Sequence, residues 1–201
     1  MYKNIEFIHI TKTGGTSIEN WGIENNIKWS HKKREYFASF QVSKFNNKSK
    51  WHIPPQFFLD NPYNNKKTFT IVRNPYDRLI SEFYCNFSGY KDCNNCSKDD
   101  FNLWIKNLVN NKRVISGLPQ YLYMPCDYIL KFENLQEDFT NFIKNYDHKT
   151  ILNTTLPHSN KGRYINNNKF TINDLSSENI ELINNYYNKD FELFNYKKYL
   201  F

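Results

Sequence analysis

Glycine is scarce in this sequence, with 6 in 201 residues, yet two of the six stand side by side at Gly14-Gly15. Cysteine is also scarce. The 4 thiols, Cys85, Cys93, Cys96 and Cys126, are too few for a disulfide scaffold and allow three two-bridge pairings. Cys93-Asn94-Asn95-Cys96 is a CxxC without a second CxxC, so a four-cysteine zinc site would have to recruit Cys85 and Cys126. Spacing alone leaves a disulfide, a zinc site and free thiols all open. Long apolar runs are missing. None approaches the ~18 residues of a membrane span. The chain passes from Met1-Tyr2-Lys3-Asn4 directly into the short run at residues 5–10, with no small-residue cleavage site. A soluble, cytoplasmic protein with no signal peptide and no stable membrane insertion is expected. Arginine is the rare cation: 5 of the 27 Lys+Arg. Three of those five, Arg73, Arg78 and Arg163, fall inside the motifs described below.

What the chain does have is aromatic side chains: 17 Phe, 15 Tyr and 4 Trp, or 18% of the residues. Such a chain can build a core, and disorder is excluded on composition. Its length fits a single domain over 1–201. The net charge of +7 allows an anionic partner. Most of it comes from lysine in a chain that also carries 31 Asn, a bias typical of AT-rich coding sequence. A nucleic-acid partner is therefore not expected from charge alone.

Hydrophobic patterning gives alternating elements. Ile5–Ile10, Thr68–Val72 and Asp127–Phe132 read as short buried strands. Thr16 or Ser17 is placed to cap a helix running toward Asn25, and Tyr36–Val42 reads as a further strand. Pro75 opens a helix through Leu79, Ile80, Phe83 and Tyr84. Gly89–Asp100 reads as a polar loop, Phe101–Val109 and Leu135–Tyr146 as helices, and Ser176 or Ser177 as the cap of a final helix. Strands alternating with helices predict an α/β fold, a central and mainly parallel sheet flanked by helices.

Phe7-Ile8-His9-Ile10-Thr11-Lys12-Thr13-Gly14-Gly15-Thr16-Ser17 carries the most chemistry. A strand runs into two glycines, small hydroxyl residues and a helix start. Glycine lets backbone N–H groups approach an anion, and a helix N-terminus adds unpaired donors and partial positive charge. Lys12, Thr13, Thr16 and Ser17 supply further donors. The order excludes a nucleoside-triphosphate P-loop, in which the lysine follows the glycines. In the second motif, Arg73-Asn74-Pro75-Tyr76-Asp77-Arg78-Leu79-Ile80-Ser81, Arg73 leaves a strand end and Ser81 follows about two helical turns later. A guanidinium and a hydroxyl can then converge on one anion. A third basic loop is Ser159-Asn160-Lys161-Gly162-Arg163.

Together these motifs resemble the PAPS-dependent sulfotransferases (PAPS is 3′-phosphoadenosine 5′-phosphosulfate), in particular the carbohydrate, heparan sulfate-type branch with its P-loop-like fold. The first motif is similar to the family's 5′-phosphosulfate loop, with Thr11 where proline is usual. The second matches R-x-P-x-x-R-x-x-S. The resemblance implies that Lys12, Thr13, Gly14, Gly15, Thr16 and Ser17 hold the phosphosulfate, that Arg73 and Ser81 hold the 3′-phosphate, and that Lys161, Gly162 and Arg163 close over it. PAP (3′,5′-ADP) is then the product, and no metal is required. Arg78 is expected to support the fold through an acidic or carbonyl partner. Residues 128–135 and 187–196 resemble scaffold segments of the family.

In-line displacement at sulfur needs a base for the attacking hydroxyl and a cation on the leaving oxygen. Lys12 is the expected cation. His52, in Trp51-His52-Ile53-Pro54-Pro55, is the expected base: it lies between the two motifs in a proline-stiffened loop, and the resemblance places a catalytic histidine in this region. His9 alternates with Phe7 toward the interior and reads as structural. His158 and Glu19 are the other candidates for the base. The expected acceptor is a hydroxyl, with a glycan as its class. The competing readings are a P-loop-type kinase or NTPase and a non-catalytic anion-binding module. Oligomeric state is not legible in the sequence.

Overall fold

Short strands buried on both faces suit parallel pairing and need cover on each side. In the computed structural model, which describes residues 4–45, 49–112, 114–146, 153–157 and 169–200, β1 (Ile5–Ile8), β2 (Lys67–Val72) and β3 (Tyr128–Lys131) form one sheet in the order β1-β2-β3. Both pairings are parallel, with Phe7 opposite Phe69 and Ile71 opposite Leu130. The helices among the described residues are α1 (Gly15–Glu24), α2 (Arg34–Ala38), α3 (Pro75–Phe83), α4 (Lys98–Asn110), α5 (Leu135–Tyr146), α6 (Ser177–Tyr186) and α7 (Asn188–Leu193). The architecture is α/β, a three-strand parallel sheet flanked by helices. No helix among the described residues is long and apolar enough to cross a membrane.

The chain divides into two compact units, Met1–Val72 with Leu122–Asn160, and Arg73–Tyr121 with Lys161–Phe201. The first unit contains the sheet. On one face Ile5, Phe7, Phe69, Ile71 and Leu130 pack under Ile18 and Trp21 of α1 and Phe139 and Phe142 of α5. The other face is also buried and mixes the apolar Ile8 and Val72 with the polar Glu6, Thr68 and Thr70. There the Thr70 hydroxyl donates to the Ile8 carbonyl at 2.7 Å, and Glu6 pairs with Lys33 and Lys66. The strand expected at Tyr36–Val42 is absent. The segment forms α2 instead, followed by one isolated bridge between Val42 and Phe58. The physical reason lies at β1, where the Trp29 indole and the Ser30 hydroxyl donate to the carbonyls of Ile5 and Phe7. Side chains satisfy those carbonyls, so they need no fourth strand.

The second unit is helical. Tyr76, Leu79, Ile80 and Phe83 of α3 pack with Phe101 and Ile105 of α4 and Ile180 and Ile183 of α6. α4 begins at Lys98, inside the expected polar loop, because Ser97 and Asp100 form a reciprocal capping box. Ser176, rather than Ser177, caps α6, and α7 follows, so α6 is not the final helix. Arg78 is 1% exposed and donates to the Leu118 carbonyl, a partner of the expected kind. No disulfide joins the four cysteines, all of them described, and Cys93 is part of this core. No cluster of three or more His, Cys, Asp or Glu among the described residues could hold a metal ion.

Asp190 is the polar anchor of this unit. Its fully buried carboxylate accepts the backbone N–H groups of Gln120 and Tyr121, both at 2.8 Å. Desolvation raises its pKa above the usual range. Asp190→Ala leaves two donors without an acceptor, and each buried unsatisfied group costs roughly 1–3 kcal/mol. Urea unfolding is therefore expected to show a loss of about 3 kcal/mol; an unchanged midpoint would contradict the anchoring role.

Candidate active site

The loop between β1 and α1 takes its shape from backbone conformation. Lys12 has φ +64° and Gly14 φ +87°, both left-handed. Gly14, not Thr16 or Ser17, occupies the N-cap of α1, and no side chain caps the helix. The first turn also lacks an acidic residue. Its N–H groups and positive dipole end therefore face no competing carboxylate from their own helix, the condition that favours an anion. Ser17 N–H donates to the Gly14 carbonyl at 3.0 Å. Thr13 is fully buried, and its hydroxyl donates to the Ile10 carbonyl at 2.8 Å. That hydroxyl braces the loop, which leaves the backbone N–H as the donor Thr13 can offer an anion.

Gly15 is required by close approach. A Cβ built there lies 2.3 Å from Nε2 of His9, so the imidazole lies against the loop backbone. His9 is 6% exposed, and its Nδ1 lies 2.8 Å from Oε1 of Glu19, itself 3% exposed. The same carboxylate oxygen accepts the His31 backbone N–H at 3.0 Å. Glu19, a candidate base by sequence, is thus a buried acceptor with two donors on one oxygen.

His52 closes the cluster. It ends a short 3-10 turn, Lys50–His52. Its carbonyl accepts the Tyr123 hydroxyl at 2.7 Å, and its Nδ1 lies 3.0 Å from the His9 carbonyl. A carbonyl only accepts, so Nδ1 carries the proton and Nε2 keeps its lone pair. The His9 and His52 rings meet edge to face, with centroids 4.4 Å apart. Burial and the neighbouring His9 lower the His52 pKa to about 3, so the ring is neutral at physiological pH.

In the second unit Arg73 stands just past β2 and is held at its backbone. Its N–H donates to the Gln120 side-chain oxygen at 2.9 Å, and its carbonyl accepts from the Gln120 amide nitrogen at 2.8 Å. Asn74 caps α3 by accepting from Tyr76 N–H, which directs the chain from strand into helix directly after Arg73. Ser81 is half-buried on α3. Lys169, also half-buried, is near enough to Arg73 and Asp77 for both to act on its ammonium; burial foremost, then Arg73, lowers its pKa. Gln120 and Lys169 escape sequence reading because neither belongs to a motif and both are remote from Arg73 in the chain. Lys161, Gly162, Arg163 and His158 lie outside the described residues.

The first unit therefore sets a lysine, an acid-free helix N-terminus and a neutral imidazole around one glycine loop. The second fixes an arginine at a strand end ahead of a half-buried helix serine. Each of these arrangements, taken by itself, suits an anionic, phosphate-like group. No curated protein and no solved structure matches the chain. The sequence model of the sulfotransferase family matches residues 2–197, nearly the whole length, so the chain belongs to the sulfotransferase family and is an enzyme of PAPS-dependent sulfuryl transfer.

Proposed function

We propose that this enzyme sulfates a carbohydrate hydroxyl, with His52 as general base and Lys12 as the cation on the leaving phosphate. When bound, PAPS supplies the activated sulfuryl group. Lys12 neutralises charge that grows on the bridging oxygen, and the first turn of α1 offers N–H donors to the sulfonate. Arg73 and Ser81 hold the 3′-phosphate, with Lys161, Gly162 and Arg163 as further contacts. The residues present fit this nucleotide: the loop has two left-handed residues and a helix end free of acidic side chains.

The observation that carries the base assignment is the 3.0 Å contact between His52 Nδ1 and the His9 carbonyl. It leaves Nε2 as the acceptor for the proton of the attacking hydroxyl. Burial makes the free ring a weak base, and negative charge brought close by the nucleotide raises its proton affinity. The heparan sulfate-type resemblance supports a glycan acceptor.

The experiment is a labelled-PAPS transfer screen across glycans, phenols and tyrosine peptides, run beside a thermal-shift titration. PAP at about 100 times its Kd stabilises the fold by about 2.7 kcal/mol, or roughly 5–10 °C for a chain of this size. Lys12→Ala is expected to abolish most of that shift. Transfer to phenols or tyrosine but not to glycans would reject the acceptor class. A shift with ATP and magnesium but not PAP would favour a nucleotide kinase. Salt-sensitive nucleic-acid binding without a PAP response would favour a binding module.

A further inference from the structure

The geometry points to Glu19 and His9 as positioning residues, a buried carboxylate–imidazole pair that fixes the His52 ring and locks the glycine loop. In the sequence His9 reads as structural and Glu19 as a candidate base, and neither as a positioning residue. The inference rests on the assignment of His52 as base, and its first readout is independent of turnover.

Glu19 sits on α1, immediately after the loop it helps to shape. Its Oε1 accepts from His9 Nδ1 at 2.8 Å, which assigns the proton of that ring to Nδ1 and directs Nε2 at Gly15. His9 then acts on His52 in two ways. Its carbonyl holds the His52 Nδ1 proton at 3.0 Å, and its ring packs edge to face at 4.4 Å. The titratable groups facing this pair are Glu19 from α1, His52 from the turn after Lys50, and His31. His31 has its backbone N–H on Glu19 and its ring 4.8 Å from Trp51. Two imidazoles this close do not both take a proton readily, and the carboxylate lies on the His9 side. Arrays in which a carboxylate orients an imidazole act by fixing tautomer and direction.

The test follows the His52 ring by nitrogen-15 NMR in the nucleotide-free protein, using wild type, His9→Gln, Glu19→Gln and Glu19→Ala. Wild-type His52 is expected as the Nδ1–H tautomer, neutral down to mildly acidic pH. In His9→Gln the neighbouring imidazole, which together with burial lowers the His52 pKa, is gone, so the His52 titration shifts upward in pH. Glu19→Gln keeps an acceptor of the same shape and is expected to retain the tautomer and more activity than Glu19→Ala. In Glu19→Ala the His52 signal splits between tautomers, and kcat falls while PAP affinity persists. Should Glu19→Ala fail to fold, the His9→Gln titration alone decides the matter. An unmoved His52 titration in His9→Gln overturns the pairing. A shifted titration in His9→Gln together with normal turnover in His52→Ala upholds the pairing and removes His52 from the chemistry instead.

Discussion

His52→Ala is expected to lower kcat by ~10²-fold or more, the usual scale for a lost general base, while PAP still binds. The expectation rests on the separation of roles within the first unit. His52 contributes a lone pair through a ring held at Nδ1 by the His9 carbonyl. In the proposed mechanism the loop contributes the anion-binding donors, through Lys12 and the start of α1. Deleting the ring removes the acceptor for the hydroxyl proton and leaves the donors in place. The Tyr123 hydroxyl still finds the backbone carbonyl of residue 52, so the turn keeps its tether. Steady-state kinetics with a glycan acceptor, paired with PAP calorimetry, checks both halves. Near-normal turnover would transfer the role of base to another group, and joint loss of turnover and PAP binding would mean that the ring shapes the loop.

Gly15→Ala is expected to be the more damaging change for its size. The added Cβ would sit 2.3 Å from His9 Nε2 and 2.4 Å from its Cδ2. The ring cannot swing away cheaply. Glu19 holds its Nδ1, Phe7 lies 5.3 Å from it and His52 4.4 Å, measured between ring centroids. Overpacking of this kind costs roughly 1–3 kcal/mol. A displacement of about 1 Å at the loop or His9 also costs about 10² in rate. Urea unfolding and kcat on the same preparation measure both effects. Wild-type stability and rate together would mean that the ring is not pinned as described.

The strand-loop-helix pattern at residues 5–24 and the Arg73–Ser81 motif were legible in the sequence because local chemistry dictates them. Paired glycines, an apolar run with a sharp end and a proline at the first helical position act over a few residues. The β1, β2 and β3 runs are legible for the same reason, since short runs rich in β-branched and aromatic residues bounded by polar or turn residues favour buried strands. The segment from Tyr36 to Val42 was misread because propensity there is weak. What decides it is Trp29 and Ser30 occupying carbonyls of β1, a choice made between segments. The start of α4 is signalled by Ser97 and Asp100, whose capping box outweighs the polar, loop-like composition of Gly89–Asp100.

The site divides along the same line. By itself the sequence determined the sulfotransferase family and nominated the glycine loop, Arg73 and His52 for the proposed site, because each depends on residue type at fixed spacing. Only the tertiary structure decided that Thr13 turns its hydroxyl inward, that Gln120 grips the Arg73 backbone, and that Glu19 holds His9 against Gly15 beside His52. Those arrangements are hydrogen bonds and contacts between residues remote in the chain or turned inward by packing, and no spacing rule encodes which buried donor will find which acceptor.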